Sequence, residues 1–143
     1  MAFLYFDLLH AIQVHNEIIN KSGGAKGILN SGLLESTLEH VKNDVYYPSL
    51  EHKVTHLFFA INKNHSFNDG NKRASIALSA YFLTINGVGF RVNKFINEME
   101  NIAVDVADNR IDKKLLFEIV ESIIYEVDYS EELKLKIIVA KSV

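Results

Sequence analysis

Nine consecutive residues, His65-Ser66-Phe67-Asn68-Asp69-Gly70-Asn71-Lys72-Arg73, carry the groups that a phosphoryl or nucleotidyl transfer needs. Such a reaction requires the charges of a phosphate chain to be neutralised and held in line with an attacking oxygen. Arg73 offers a planar fork that can hold two phosphate oxygens at once, and Lys72 a compact cation beside it. Asp69 is a hard oxygen ligand. Magnesium commonly takes one or two carboxylates plus phosphate oxygens, so this single carboxylate suits a nucleotide-borne Mg²⁺ and not a metal held by protein alone. His65 is a base whose ordinary pKa of about 6.5 lies near neutrality, able to take the proton of an attacking hydroxyl. Phe67 stands between base and carboxylate and is expected to point into the core and fix the loop.

Two apolar stretches must position these groups. Val54 to Ile61 leads into the segment and Ala74 to Ile85 leads out of it. Gly70-Asn71 therefore falls at the start of a helix, where exposed backbone N–H groups and the positive end of the dipole favour an anion. Glycine at 70 permits a turn that other residues resist and lets a phosphate approach the backbone. Lys72 and Arg73 at a helix N-terminus oppose the dipole, a conflict that a bound polyanion removes.

The rest of the chain reads as helix. Asp7 caps a first helix through Leu8, Leu9, Ile12, Ile18 and Ile19, ended by Gly23-Gly24. Residues 23–32 are loop, and Asn30-Ser31 caps a second helix through Leu33, Leu34, Leu38 and Val41. After a connector from Asn43 to Ser49, a third helix runs from about Leu50 to Lys63, with Val54, Leu57, Phe58 and Ile61 at helical spacing. The fourth runs from Asn71 to Asn86 and is apolar on nearly all sides, as a core helix should be. Asn93 is expected to cap a fifth helix and Asp112 a sixth. In the tail, Ser130-Glu131-Glu132 signals a helix start, while Leu133 to Ile137 alternates as a strand does. The balance favours helix. The expectation is one all-α domain over residues 1–143, of about six helices plus a tail element at 128–143.

Composition narrows the function. A length of 143 residues suits a single core, and 48% hydrophobic with 23% charged residues is ordinary for a globular domain. The net charge of −3 argues against a direct nucleic-acid partner, including a helix-turn-helix binder. Cysteine is absent, which excludes disulfides and cysteine-based zinc sites and fits the cytosol. The apolar runs fall short of a membrane span, and the start lacks a basic n-region. A soluble cytoplasmic protein is expected.

The motif His-x-Phe-x-Asp-Gly-Asn-Lys-Arg resembles the core signature of the Fic/Doc (Fido) superfamily, most closely its death-on-curing (Doc) branch. Gly23-Gly24, Gly27 and Gly32 before a helix, and the helix ending Asn86-Gly87-Val88, extend the likeness from about Phe3 to Val127. The resemblance implies roles: His65 as base, Asp69 on Mg²⁺, Asn71 and Arg73 on phosphates, and Phe67 as structural. It implies ATP as co-substrate. Fic proteins usually transfer AMP to a hydroxyl side chain, whereas Doc toxins phosphorylate a threonine of elongation factor Tu and arrest translation. Lys72 stands where AMP-transferring members typically carry a second glycine. A bulky cation there narrows the groove for the diphosphate end of ATP and favours a reversed nucleotide, which points to γ-phosphoryl transfer, while Gly70 leaves AMP transfer open. Doc toxins are silenced by an antitoxin whose disordered segment folds into a groove beside the active site, and the same partner is expected here. A module that has lost catalysis and kept partner binding is the alternative from another class.

Other residues have plainer readings. Ser31 with Glu35, and Ser122 with Glu126, match half of a built-in inhibitory motif and are expected to be surface pairs. His52, His56 and His65 lack a zinc-enzyme pattern, and two helical histidines are more often packing or surface residues. His10, His15 and His40 read as surface residues. Tyr46-Tyr47 can border a groove, although buried loop aromatics are commoner. Ile137 to Ala140 are expected to pack on the chain's own core.

Overall fold

The computed structural model describes residues 2–142; Met1 and Val143, part of the expected domain, lie outside the described residues. The described chain is all-α: α1 (Leu8–Ser22), α2 (Ser31–His40), α3 (Leu50–Lys63), α4 (Asn71–Ile85), a 3-10 turn (Gly89–Arg91), α5 (Val92–Ala107), α6 (Lys113–Tyr125) and α7 (Glu131–Lys141). The tail element is thus a seventh α-helix. Its alternating apolar residues do not line one sheet face; Leu133 and Ile137, four apart, turn inward while Leu135 is exposed.

Most helices start where a short polar side chain can accept from their free N–H groups. Asp7, Asn30, Ser49, Asp112 and Ser130 each accept from the third N–H of the helix that follows. The expected cap at Asn93 is not used. Helix α5 starts two residues earlier than that cap implies, with Arg91 at the cap position and no side-chain cap. The preceding 3-10 turn explains this, because Gly89 O already accepts from Val92 N.

Helix α3 lies at the centre and packs on α2, α4, α5 and α6. Leu57, Phe58 and Ile61 on it meet Leu78, Phe82, Phe95, Met99 and Leu116 in one buried cluster that also takes in Ala11 of α1 and Leu133 of α7. Removing such area from water stabilises by about 25 cal/mol per Å². Lys53 on α3 is fully buried, yet its Nζ donates at 2.8 Å to both Val41 O and Asp44 Oδ1 and lies under the Phe3 ring. A buried ammonium is tolerated only with such partners. Lys53 thereby ties the amino-terminal strand of coil and the α2–α3 connector to the core.

Several surface expectations are corrected. Ser122 is buried, because it sits on the inward face of α6 between Ile119 and Ile123. Ser31 and Glu35 are exposed, as the sequence suggests. Tyr46 is 74% exposed rather than a buried loop aromatic, and Tyr47 is half-buried against His56. His10 is half-buried on the Tyr81 ring, whereas His40 is exposed. Of the tail residues, Ile137 is buried but Ile138 and Val139 are exposed, because the one-turn helix period carries them round to the outer face. No described helix is long and apolar enough to cross a membrane.

Candidate active site

The loop between α3 and α4 is pinned from inside. Phe67 is 1% exposed, as the sequence suggests for an anchor. Its ring lies on the His15 imidazole, centroids 3.9 Å apart and planes within 4°. His15 Nε2 is 2.6 Å from Asp69 O. A carbonyl only accepts, so Nε2 carries the proton. The expectation that His15 faces solvent is therefore wrong: it is 1% exposed and supports the motif from α1. The signal lay in its spacing, since Ala11, His15 and Ile19 stand four apart on one helical face and all are buried.

Asn71 braces the loop at its other end. Its Oδ1 accepts from Phe67 N at 3.1 Å and its Nδ2 donates to Phe67 O at 3.0 Å. Both amide groups of this side chain are thus engaged by the loop backbone. His65 precedes the anchor on an exposed, left-handed backbone with φ of 50°. Such a conformation disfavours a side chain unless the surroundings hold it, and here the buried Ser66 and Phe67 follow directly.

A second segment runs along the loop. Residues Gly23 to Asn30 lie beside residues 66 to 69, joined by an antiparallel bridge between Ile28 and Phe67. Asn68 N donates to Gly27 O, and Asn68 Nδ2 to Lys26 O, both at 3.1 Å. Leu29 N and Asn30 N both donate to Ser66 O. Two glycines make the approach possible. A Cβ on Gly24 would stand 2.6 Å from Asp69 Oδ2, and one on Gly27 would stand 2.7 Å from Asn68 Nδ2. The sequence marks this stretch only as loop, and the cross-chain ladder could not be read from it.

The charged groups then fall into place. Asp69 Oδ2 accepts from Ala25 N at 3.1 Å and Oδ1 from Gly70 N at 2.8 Å. These two N–H groups, Ala25 first, hold its carboxyl below the usual carboxylate range, with Arg73 and His15 adding to the effect. The group is ionised at neutral pH and exposed, with lone pairs to spare. Arg73 Nη1 donates to Ser22 Oγ and, at 3.0 Å, to Gly23 O at the end of α1, while Nη2 lies 4.0 Å from Asp69 Oδ1. Lys72 is exposed beside it.

Helix α4 starts differently from its neighbours. Gly70 is its N-cap, in the left-handed region with φ of 75°, and no side chain caps the helix. The first N–H groups of α4, at Asn71, Lys72 and Arg73, have no partner inside the helix. Together with the dipole they make an end whose chemistry suits an anion, flanked by Asp69 and Arg73. One ionised carboxylate beside such a cradle fits a cation that also takes phosphate oxygens, as Mg²⁺ does. It does not fit a metal bound by protein alone, and no group of three metal-binding side chains occurs among the described residues.

Comparison with known proteins bears on this arrangement. A model of the Fic/DOC family matches residues 5–83, which span α1 to nearly the end of α4 and contain the whole motif. The chain is 32% identical over 94 residues to a protein named Toxin Doc from Mycolicibacterium smegmatis, covering 63% of this chain and 72% of that one. It is 33% identical over 81 residues to Protein kinase doc of Escherichia phage P1, covering 54% of this chain and 64% of that one, so less than two-thirds of the phage protein is spanned. The family match ends inside α4, short of the likeness to Val127 expected from the sequence.

Proposed function

The chain belongs to the Fic/DOC family, and from that premise we propose that it is a Doc-like toxin, a transferase that moves a phosphoryl group from Mg-ATP to a hydroxyl side chain of a translation factor. The observation that carries the reading is the uncapped start of α4, with an ionised carboxylate and a guanidinium on either side and a histidine on the same loop. The names of the two relatives, Toxin Doc and Protein kinase doc, support it.

In this reading the free N–H groups of α4 and the Arg73 fork hold the phosphate chain. Lys72 lies along it. Asp69 holds Mg²⁺ together with phosphate oxygens, and the metal supplies neutralisation of charge on those oxygens. Asn71 acts through its backbone N–H, its side chain being committed to Phe67. His65 takes the proton as the substrate oxygen bonds to the γ-phosphorus and the bond to the β–γ bridging oxygen breaks, releasing ADP. Phosphate contact by Arg73 requires its fork to leave Ser22 and Gly23, or to engage through Nη2 and Nε. A cognate antitoxin, implied by the toxin name of one relative, silences the enzyme by binding near this groove.

Incubation with a translation extract and either γ-labelled or α-labelled ATP tests the proposal. Label is expected on a protein from the γ position only. His65→Ala is expected to lower transfer by about 10²–10⁴-fold, the usual weight of general base catalysis. Label from the α position would replace phosphorylation with AMP transfer, which Gly70 and the exposure of Lys72 leave sterically open. Growth arrest that survives both His65→Ala and Asp69→Ala would sink the enzyme reading in favour of a partner-binding module.

A further inference from the structure

A recess of about 340 Å³ lies away from the motif loop, where the α2–α3 connector, the first half of α3 and the start of α6 meet. Thr55, at its edge, is separated from the end of α3 at Lys63 by about 12 Å of helix. Tyr47 and Phe117 line it, His52 lies against the Phe117 ring with centroids 4.5 Å apart, and Tyr46 stands exposed beside it. The only charged side chains lining it are Lys113 and Lys114; no carboxylate is among the described residues that line it.

Lys113 is anomalous. Five lysines among the described residues are not exposed: Lys53, Lys63, Lys94, Lys113 and Lys134. Four of them place Nζ on oxygen. Lys53 reaches Val41 O and Asp44, Lys63 reaches Val106 O and Asn109, Lys94 reaches Val127 O, and Lys134 reaches Asp128 and Glu131. Lys113 reaches no oxygen among the described residues. Its Nζ lies 5.2 Å from the Tyr47 ring centroid, 5.8 Å from that of Phe59, and 3.4 Å from His56 Nδ1. Burial pushes the Lys113 pKa down. Burial, the Lys113 charge and His40 together hold the His56 imidazole down at about 4, so that ring is neutral and supplies only a nitrogen lone pair. A partly dried cation without an anion is unfavourable, and ring faces offset this only in part.

We propose that this recess binds a small aromatic anion, a single ring bearing a phosphate or carboxylate, with the ring beside Tyr47 and Phe117 and the anionic group on Lys113. The volume is at the lower end of small-molecule sites, which suits one ring and its charged group. Inorganic phosphate alone leaves the aromatic walls in water. A neutral ring leaves the ammonium unpaired. Lys114, exposed at the rim, adds a second positive charge that draws the anion in.

The full chain, isotope-labelled and free of nucleotide, is titrated with phenyl phosphate and with benzoate while backbone amide resonances are followed. Inorganic phosphate and benzyl alcohol serve as the two half-ligands. Saturable shifts are expected at residues 46–56 and 113–117, with each half-ligand at least tenfold weaker. Lys113→Met is expected to weaken binding at least tenfold, Lys113→Arg to retain most of it, and Arg73→Met to leave these shifts unchanged. Shifts confined to residues 65–73, equal affinity of Lys113→Met, or parity of inorganic phosphate with phenyl phosphate would each overturn the site. Should Lys113→Met lose its dispersed spectrum, Phe117→Leu carries the test, and unchanged affinity there overturns the proposal as well.

Discussion

His15 holds the motif loop from behind, through a flat ring stack on Phe67 and a donated hydrogen bond to Asp69 O. The two contacts can be separated. His15→Ala removes both and leaves a cavity under Phe67, so a loss of about 3 kcal/mol of stability is expected from urea unfolding. His15→Phe keeps an aromatic ring but leaves a carbonyl unpaired, at about 1–2 kcal/mol. Equal losses for the two variants would show that the ring stack contributes nothing beyond the hydrogen bond. His56 sets a pH dependence. Its pKa falls from 6.5 in the unfolded chain to about 4 in the fold, chiefly by burial and then by Lys113 and His40. Between those values the unfolded chain binds the additional proton, so stability is full above the higher value and declines as pH falls towards the lower. Unfolding free energy is expected to drop by on the order of 1–2 kcal/mol between pH 7 and pH 5. His56→Phe, which preserves a ring against Tyr47, is expected to flatten that slope.

At the scale of elements, the end of α1, the Gly23–Asn30 segment and the start of α4 work as a unit. The segment donates Ala25 N to Asp69, and Ser22 with Gly23 receives Arg73. Two neighbouring glycines separate the effect of backbone strain from that of contact. Gly23 and Gly24 both have positive φ, 83° and 119°, but only Gly24 is crowded, with Asp69 Oδ2 at 2.6 Å and Arg73 Nη2 at 3.2 Å from an added Cβ. Gly23→Ala is expected to lower stability by about 1 kcal/mol through its left-handed backbone and to leave the motif loop in place. Gly24→Ala is expected to cost about 1–3 kcal/mol and also to displace Asp69 and Arg73. Calorimetric titration with ATP and Mg²⁺ checks the difference: an affinity at least tenfold lower for Gly24→Ala, and little changed for Gly23→Ala.

At the scale of the molecule, the site rests on a core closed by the last helix. Helix α7 packs on α6 through Leu133 and Ile137, and Lys136 and Lys141 bond to Glu118 and Asp105. The exposed Lys136–Glu118 pair contributes little, and Leu133 and Ile137 supply the apolar contact. Leu133→Ala is expected to destabilise by about 2–4 kcal/mol with a single cooperative transition retained, as thermal denaturation will show. Two transitions would mean that α7 folds on its own schedule and leaves the motif helices intact.

The helices were legible because their signals are local. Asp7, Asn30, Asp112 and Ser130 stand where caps are needed, and Val54, Leu57, Phe58 and Ile61 repeat with the helical period. The candidate site was legible because nine neighbouring residues hold a histidine, a carboxylate, a glycine and two cations, and Phe67 was readable as an anchor. Asn93 misled because the 3-10 turn runs straight into α5, with Val92 N on Gly89 O, so the helix is already under way at Asn93. His15, Ser122 and the commitment of the Asn71 amide depend on partners in other elements or on the shape of the loop. The same holds for the ladder from Gly27 to Asn68 and the oxygen-free setting of Lys113. Sequence alone determined which groups are present and which segments coil, since capping and periodicity act within a few residues. Only the tertiary structure decided which of those groups are engaged and which face outward, because burial and hydrogen bonding between distant segments exist only once the chain has closed on itself.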